Sequence, residues 1–105
     1  MRKSVDFSQI SGFEWDKGNI NKNWKKHHIS TQEAEEPFSN QPFITKYDKS
    51  HSTPTESRYQ ALGATNAGRK IFLSFTVRDR KIRIISARDQ NRKERQNYEP
   101  AQEKT

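Results

Sequence analysis

The sequence predicts an α+β fold: a small antiparallel β-sheet of about four strands, with two helices before it and one after it. Three observations carry this. Ile71, Leu73, Phe75 and Val77 alternate with Phe72, Ser74, Thr76 and Arg78, the period of a strand with one buried face. Upstream, Ser30-Thr31-Gln32-Glu33 has the form of a capping box, in which hydroxyl and carboxylate satisfy each other's backbone amides at a helix start. Downstream, Gln90, Glu94 and Tyr98 recur at helical spacing. With 105 residues, 29% of them hydrophobic, the chain fits one domain with a small core, and a large multi-layered enzyme is excluded.

In chain order, residues 1–12 have no sustained period and end at Ser11-Gly12, so they read as a flexible lead-in; without an apolar core segment they are not a secretory signal. Residues 13–99 form the domain. Phe13-Glu14-Trp15 makes one short strand, and Asp16 caps a helix from about Lys17 to His27. Ile20, Trp24 and His27 give that helix a partly apolar face. The helix opened by Ser30 is short, because Pro37 lacks an amide and would clash with the carbonyl four residues back.

After a turn over 39–42, Phe43–Tyr47 is a strand, and Asp48–Thr55 reads as a mobile loop. Glu56–Gly63 is the next strand, joined through Asn66-Ala67-Gly68, residues that tolerate positive φ, to the alternating strand over 71–78. A tight turn over 78–81 returns the chain into Ile82–Ala87. If Val77 lies opposite Ile82, then Thr76 lies opposite Arg83, with Arg78 beside that pair on the non-core face. Asp89 is placed to cap the last helix, which Pro100 ends, leaving residues 100–105 as a frayed tail.

Charge points to the chemistry. The chain carries 20 Lys and Arg against 13 Asp and Glu, a net charge of +7. Between Arg78 and Arg95, eight basic residues stand against three acidic ones. Charge this concentrated repels itself, and a polyanion is the compensating partner. Arg78 and Arg83 side by side would repel by roughly a kcal/mol at surface-like dielectric, so a phosphate between them is expected. A basic face can equally be a solvated surface, but guanidinium forks match phosphate oxygens.

Nothing approaches the apolar length that spans a bilayer, so no membrane partner is expected. The chain has no cysteine, which removes disulfides, thiolate metal sites and cysteine nucleophiles and permits a reducing cytoplasm. His27-His28 and the distant His51 lack metal-ligand spacing, so no metal site is expected. Glu56 and Arg58, two apart on one strand face, could be a base and a phosphate clamp or an ordinary ion pair.

With these residues in view, the chain resembles the BrnT family, the ribonuclease half of bacterial type II toxin–antitoxin pairs. The likeness covers about Phe13 to Glu99 and rests on an ordered set. Phe13-Glu14-Trp15-Asp16 opens the domain, Asn23 with Lys26-His27 ends the first helix, and Ser30 with Glu33-Ala34 opens the second. Asp48, His51-Ser52, Glu56, Arg58, Gly68-Arg69 and Arg78 follow, and Ile82-Arg83-Ile84-Ile85-Ser86-Ala87-Arg88, Glu94 and Tyr98-Glu99 close it. Three positions depart from the family pattern: His28 replaces a usual glycine, Asn19 a lysine and Pro37 a valine.

The resemblance implies a RelE-like fold, a cytoplasmic location, no cofactor, and RNA cleaved without metal by attack of a ribose 2′-hydroxyl on the adjacent phosphorus. It implies a BrnA-type antitoxin that neutralises the toxin in a hetero-oligomer, the complex binding DNA. Arg58, Arg78, Arg83 and Arg88 are then candidate clamps on the phosphate, with Lys26, His27 and Glu56 as candidate proton-transfer or positioning groups. Lys25, Arg80, Lys81 and Arg92 are candidate RNA contacts, and Arg92, Arg95 and Tyr98 on the final helix candidate antitoxin contacts. The competing reading is a non-catalytic nucleic-acid-binding or interaction protein using the same basic face.

Overall fold

The computed structural model describes residues 5–104. Five strands, β1 (Gly12–Glu14), β2 (Ile44–Tyr47), β3 (Arg58–Ala64), β4 (Lys70–Arg78) and β5 (Lys81–Asp89), form one sheet in the order β1-β5-β4-β3-β2. Three α-helices accompany it: α1 (Lys17–His27), α2 (Thr31–Glu35) and α3 (Arg92–Glu103). The α+β class and the helix placement agree with the sequence reading. The sheet differs in having a fifth strand, and β1 runs parallel to β5, with Phe13 opposite Ile82 and Glu14 opposite Arg83. The cause lies just upstream of β1. The Ser11 amide and hydroxyl donate to the Arg80 carbonyl at 2.7 and 3.1 Å, and Arg80 Nε donates to the Gln9 carbonyl. These bonds lay the chain along the outer edge of β5 in its own direction. No helix among the described residues is long and apolar enough to cross a membrane.

The alternation along β4 is realised from Ile71 to Phe75, with Ile71, Leu73 and Phe75 completely buried; at the end of the strand Thr76 is buried too and Val77 only half-buried, because the Thr76 hydroxyl is drawn to the Ser57 carbonyl. Tyr59 and Ala61 of β3 and Ile82, Ile84 and Ala87 of β5 flank them, and Ile29 and Ala34 close the layer. The tight turn after β4 places Asp79 and Arg80 both at positive φ (52° and 65°), the geometry that a two-residue hairpin requires, here without glycine. Val77 pairs with Ile82 and Thr76 with Arg83, the expected register. Further along, Ser74 pairs with Ser86 but Phe75 with Ile84, so β5 carries one extra residue at Ile85. That bulge reverses the face on which every later side chain of β5 emerges.

Helix α1 starts as expected, with the Asp16 carboxylate accepting from the Gly18 amide at 2.7 Å. Its packing face differs from the one read off the spacing. Trp24 is 53% exposed, and the buried residue is Asn23. The reason is hydrogen bonding: β1 covers only the first part of β5's edge, and α1 completes the rest with side chains. Asn19 Nδ2 donates to the Ile84 carbonyl (3.2 Å), and Asn23 Oδ1 accepts from the Ala87 amide (3.2 Å). Bonding of these strand groups outweighs burial of an indole, since an unpartnered buried amide costs about 1–3 kcal/mol.

Of the three departures from the expected pattern, Asn19 has its role in the bond to Ile84 just described. His28 caps α1 in the left-handed conformation (φ 52°, ψ 43°), where glycine is the least strained residue. Pro37 opens a 3-10 turn over Glu36–Ser39 directly after α2 and is buried. It sits so close to β3 that a Cβ on Gly63 would lie 2.8 Å from its own Cβ. The capping box of α2 is present as read, with Ser30 and Glu33 bonding reciprocally.

Three local expectations change. Residues 48–52 are not a slack loop: Asp48 is 7% exposed and caps a 3-10 turn over Lys49–His51. Helix α3 is capped by Asn91 rather than Asp89, because Asp89 is still in β5, paired with Ile71 and bound to Arg69. It continues through Pro100, which donates nothing to the Gln96 carbonyl, to Glu103. In the segment expected to be a flexible lead-in, Phe7 meets the rings of Phe38, Phe43 and Phe75 at 5.8–6.4 Å. Residues 1–4 of that segment and residue 105 of the tail lie outside the described residues.

Candidate active site

On the sheet face away from the core, register builds a row across four strands. Arg58 of β3 is opposite Thr76 of β4, Thr76 is opposite Arg83 of β5, and Arg83 is opposite Glu14 of β1. Residues paired in register project to the same side, so two arginines flank the buried Thr76. Arg78, two residues beyond Thr76, joins them on that face, with Lys81 as its cross-strand partner. Thr76 is fixed by donating its hydroxyl to the Ser57 carbonyl at 2.7 Å.

The anion expected between neighbouring arginines is supplied in part by the protein. Glu56 Oε1 accepts from Arg58 Nε at 2.7 Å and its Oε2 from Arg78 at 2.9 Å, so one carboxylate clamps two guanidiniums. Arg83 Nε lies 3.3 Å from Glu14 Oε1. The hydrogen bond from Arg58, reinforced by that from Arg78 and by both charges, outweighs burial and holds the Glu56 carboxyl below its ordinary value. Both oxygens of the Glu56 carboxylate are engaged by guanidiniums. Each guanidinium has five N–H donors, so these contacts engage only part of each arginine.

Arg88 is on the same face at the opposite end of β5, opposite Phe72. Its guanidinium lies 4.1 Å from the Phe72 ring centroid and makes a bidentate pair with Glu94 of α3 at 2.8 and 3.0 Å. Burial pushes the Glu94 carboxyl up, but the bonds from Arg88 and the Asn91 amide outweigh it and hold it low. Arg88 so fastens α3 to the sheet, apart from the other three arginines.

Lys25, Lys26 and His27 end α1 beside Asp89, six residues and about 20 Å along β5 from Arg83. The neighbouring group there is Arg69. It pairs with Asp89 (2.7 and 3.1 Å) and Glu33 (3.2 Å) and donates to the carbonyls of His27 and His28. The residues expected to act together thus fall into two groups, with Arg58, Arg78, Arg83 and Glu56 at one end of the sheet and Lys26 and His27 at the other.

Arg80 and Lys81 are exposed at the hairpin tip near the first group, and Arg92 is exposed at the start of α3. Arg95 donates to the Gln90 carbonyl at 2.7 Å. Tyr98 is completely buried and donates its hydroxyl to the Pro42 carbonyl at 2.7 Å. It anchors α3 from within and offers no surface to a partner, which corrects its place among the antitoxin contacts.

Sequence reasoning passed over one arrangement. His51 Nδ1 lies 2.8 Å from Asp48 Oδ2, with the Asp48 side chain 7% and the His51 side chain 65% exposed. Gln60 Nε2 donates to the same carboxylate oxygen at 3.2 Å. Burial pushes the Asp48 carboxyl up, but hydrogen bonds from Ser50 and His51 with the His51 charge outweigh it and keep it below its ordinary value. The turn is stitched to the start of β3. The Asp48 amide donates to the Arg58 carbonyl (2.8 Å), and Ser52 Oγ accepts from the Arg58 amide (2.8 Å) while donating to the Asp48 carbonyl (2.7 Å). The available signal was the Asp-x-x-His spacing, whereas the sequence reading weighs His51 only with His27 and His28 as a metal ligand. Among the described residues, no three His, Asp or Glu side chains gather as a metal site.

This architecture is similar to that of the Brucella abortus ribonuclease toxin BrnT, with a TM-score of 0.54 at 20% identity over 77% of this chain and 97% of that one. No curated protein matches the sequence. The family model described as the ribonuclease toxin, BrnT, of type II toxin–antitoxin systems matches residues 15–94, from the end of the first strand to the capping box of α3. That span holds all three clustered arginines, and the chain belongs to the BrnT family of ribonuclease toxins.

Proposed function

We propose that the chain is a metal-independent endoribonuclease whose scissile phosphate binds on the sheet face formed by Arg58, Arg78 and Arg83. The observation that carries this is the register that sets Arg58 and Arg83 on either side of Thr76, with Glu56 aligning Arg58 and Arg78. A ribose 2′-oxygen attacks the adjacent phosphorus, the bond from phosphorus to the 5′-oxygen breaks, and a 2′,3′-cyclic phosphate remains. Negative charge gathers on the non-bridging oxygens, where fixed guanidinium donors act most strongly. Glu56 and Glu14 keep those donors in place before RNA arrives.

The test is incubation of purified protein with RNA in excess EDTA, followed by end-group analysis. The expected products carry 5′-hydroxyl and 2′,3′-cyclic phosphate ends at an undiminished rate. Abolition by EDTA with rescue by Mg²⁺ would place the chemistry on a metal instead. RNA bound but left intact would favour a non-catalytic binding role.

The partner in this reading is a BrnA-type antitoxin that docks at α3. Between α3 and the outer strand β2 lies a groove of about 470 Å³ floored by Ile44, Leu62 and Phe72, with Lys46 and Lys93 at its border. Arg92 and Arg95 lie on the adjoining helix. Replacing both by Glu should weaken antitoxin binding at least tenfold in a calorimetric titration, and an unchanged Kd would move the contact elsewhere.

A further inference from the structure

We infer that His51, held by Asp48, is the general base that takes the 2′-hydroxyl proton. This rests on the ribonuclease reading and supplies what the arginine face lacks. Guanidinium groups stay protonated, both Glu56 oxygens are occupied by arginines, and His27 stands at the other end of the sheet.

Three features of the turn suit the task. The Asp48 carboxylate only accepts, so the 2.8 Å contact places the His51 proton on Nδ1 and makes Nε2 the basic nitrogen. Gln60 donates to that carboxylate from the open sheet face, and the hydrogen bonds through Ser52 lock the turn to the backbone of Arg58. The imidazole is therefore carried on a turn bonded to the backbone of Arg58, aligned by a buried carboxylate while remaining open to solvent. The charged groups on its own turn and on the strands that adjoin the turn are Asp48 and Lys49, Lys46 near the end of β2, Glu56 and Arg58 at the entry to β3, and Arg78 at the end of β4.

In the step itself, Nε2 takes the 2′-hydroxyl proton as the 2′-oxygen bonds to phosphorus. The 5′-oxygen leaves with the electrons of its bond to phosphorus and takes a proton from solvent water. His51 then returns its proton to solvent, so the reaction is balanced with no net water consumed. Asp48 is a positioning residue, acting through the imidazole.

The experiment measures kcat/KM for RNA cleavage from pH 5 to pH 9 in the wild-type protein and in H51N, H51A and D48N, with thermal midpoints. A neutral imidazole is required, so the wild-type rate should fall at acid pH, rise as pH increases and then level. H51N preserves a side-chain amide to donate to Asp48, and so the turn. It should lose about 10²- to 10⁴-fold with no acid limb. H51A should regain part of its activity on adding imidazole, which a merely structural histidine would not allow. D48N should lower kcat with little change in KM, because the imidazole loses the carboxylate that aligns it while the phosphate-binding arginines are untouched. H51N cleaving at the wild-type rate with the same pH profile overturns this assignment alone. Wild-type protein that leaves RNA intact overturns the ribonuclease reading and this inference with it.

Discussion

Arg83→Ala should abolish growth inhibition and slow RNA cleavage by about 10² to 10³, the cost of removing one preorganised donor to a developing oxyanion, roughly 2.7–4 kcal/mol. The fold should be left standing. The ion pair with Glu14 is partly exposed, and such pairs contribute about 0–1 kcal/mol. Arg83 is the best placed of the three arginines for this experiment. Arg58 and Arg78 share Glu56, so removing either also releases the carboxylate that holds the other. Arg83→Lys should recover only part of the rate, because an ammonium cannot reproduce a planar fork of donors. Wild-type cleavage by Arg83→Ala, accompanied by a steep fall in thermal midpoint, would make this arginine structural.

Phe75→Ala should do the reverse, acting on stability. Phe75 is completely buried at the centre of the sheet, stacked on Tyr59 at 5.5 Å and meeting Phe38 edge-on at 5.2 Å. Removing such a ring costs about 3–5 kcal/mol, because the neighbours collapse only partly into the cavity. For a domain of this size the thermal midpoint should fall by more than about 10 °C. Phe75 precedes Thr76, so any residual folded protein should keep its arginine row and its specific activity per folded molecule. A midpoint within about 3 °C of wild type would mean that the aromatic cluster around Phe75 carries far less of the stability than its burial implies.

Much of the fold was legible because its signals are local. The alternation along β4 from Ile71 to Phe75, the turn after the strand and the Ser30–Glu33 capping box each occupy a few consecutive residues, and each formed as read. The pairing of Thr76 with Arg83 followed from the turn alone, since a two-residue hairpin sets the register of everything near it. The family likeness was also legible, as an ordered set of side chains between Phe13 and Glu99.

What the sequence by itself determined is therefore the identity of the strands and helices, the buried face of β4 and the neighbourhood of Arg78 and Arg83. The tertiary structure decided which faces and edges those elements share. Arg83 and Arg88 are five residues apart, which in a regular strand would place them on opposite faces; the bulge at Ile85 puts both on one, where Arg88 is spent on Glu94 and Phe72. The parallel pairing of β1 and the use of Asn19 and Asn23 to finish the edge of β5 likewise have no short-range signature strong enough to read. The physical reason is the same in each case. A side chain's period is written in its neighbours along the chain, whereas its partner depends on register and on unsatisfied backbone groups brought close only when distant segments pack.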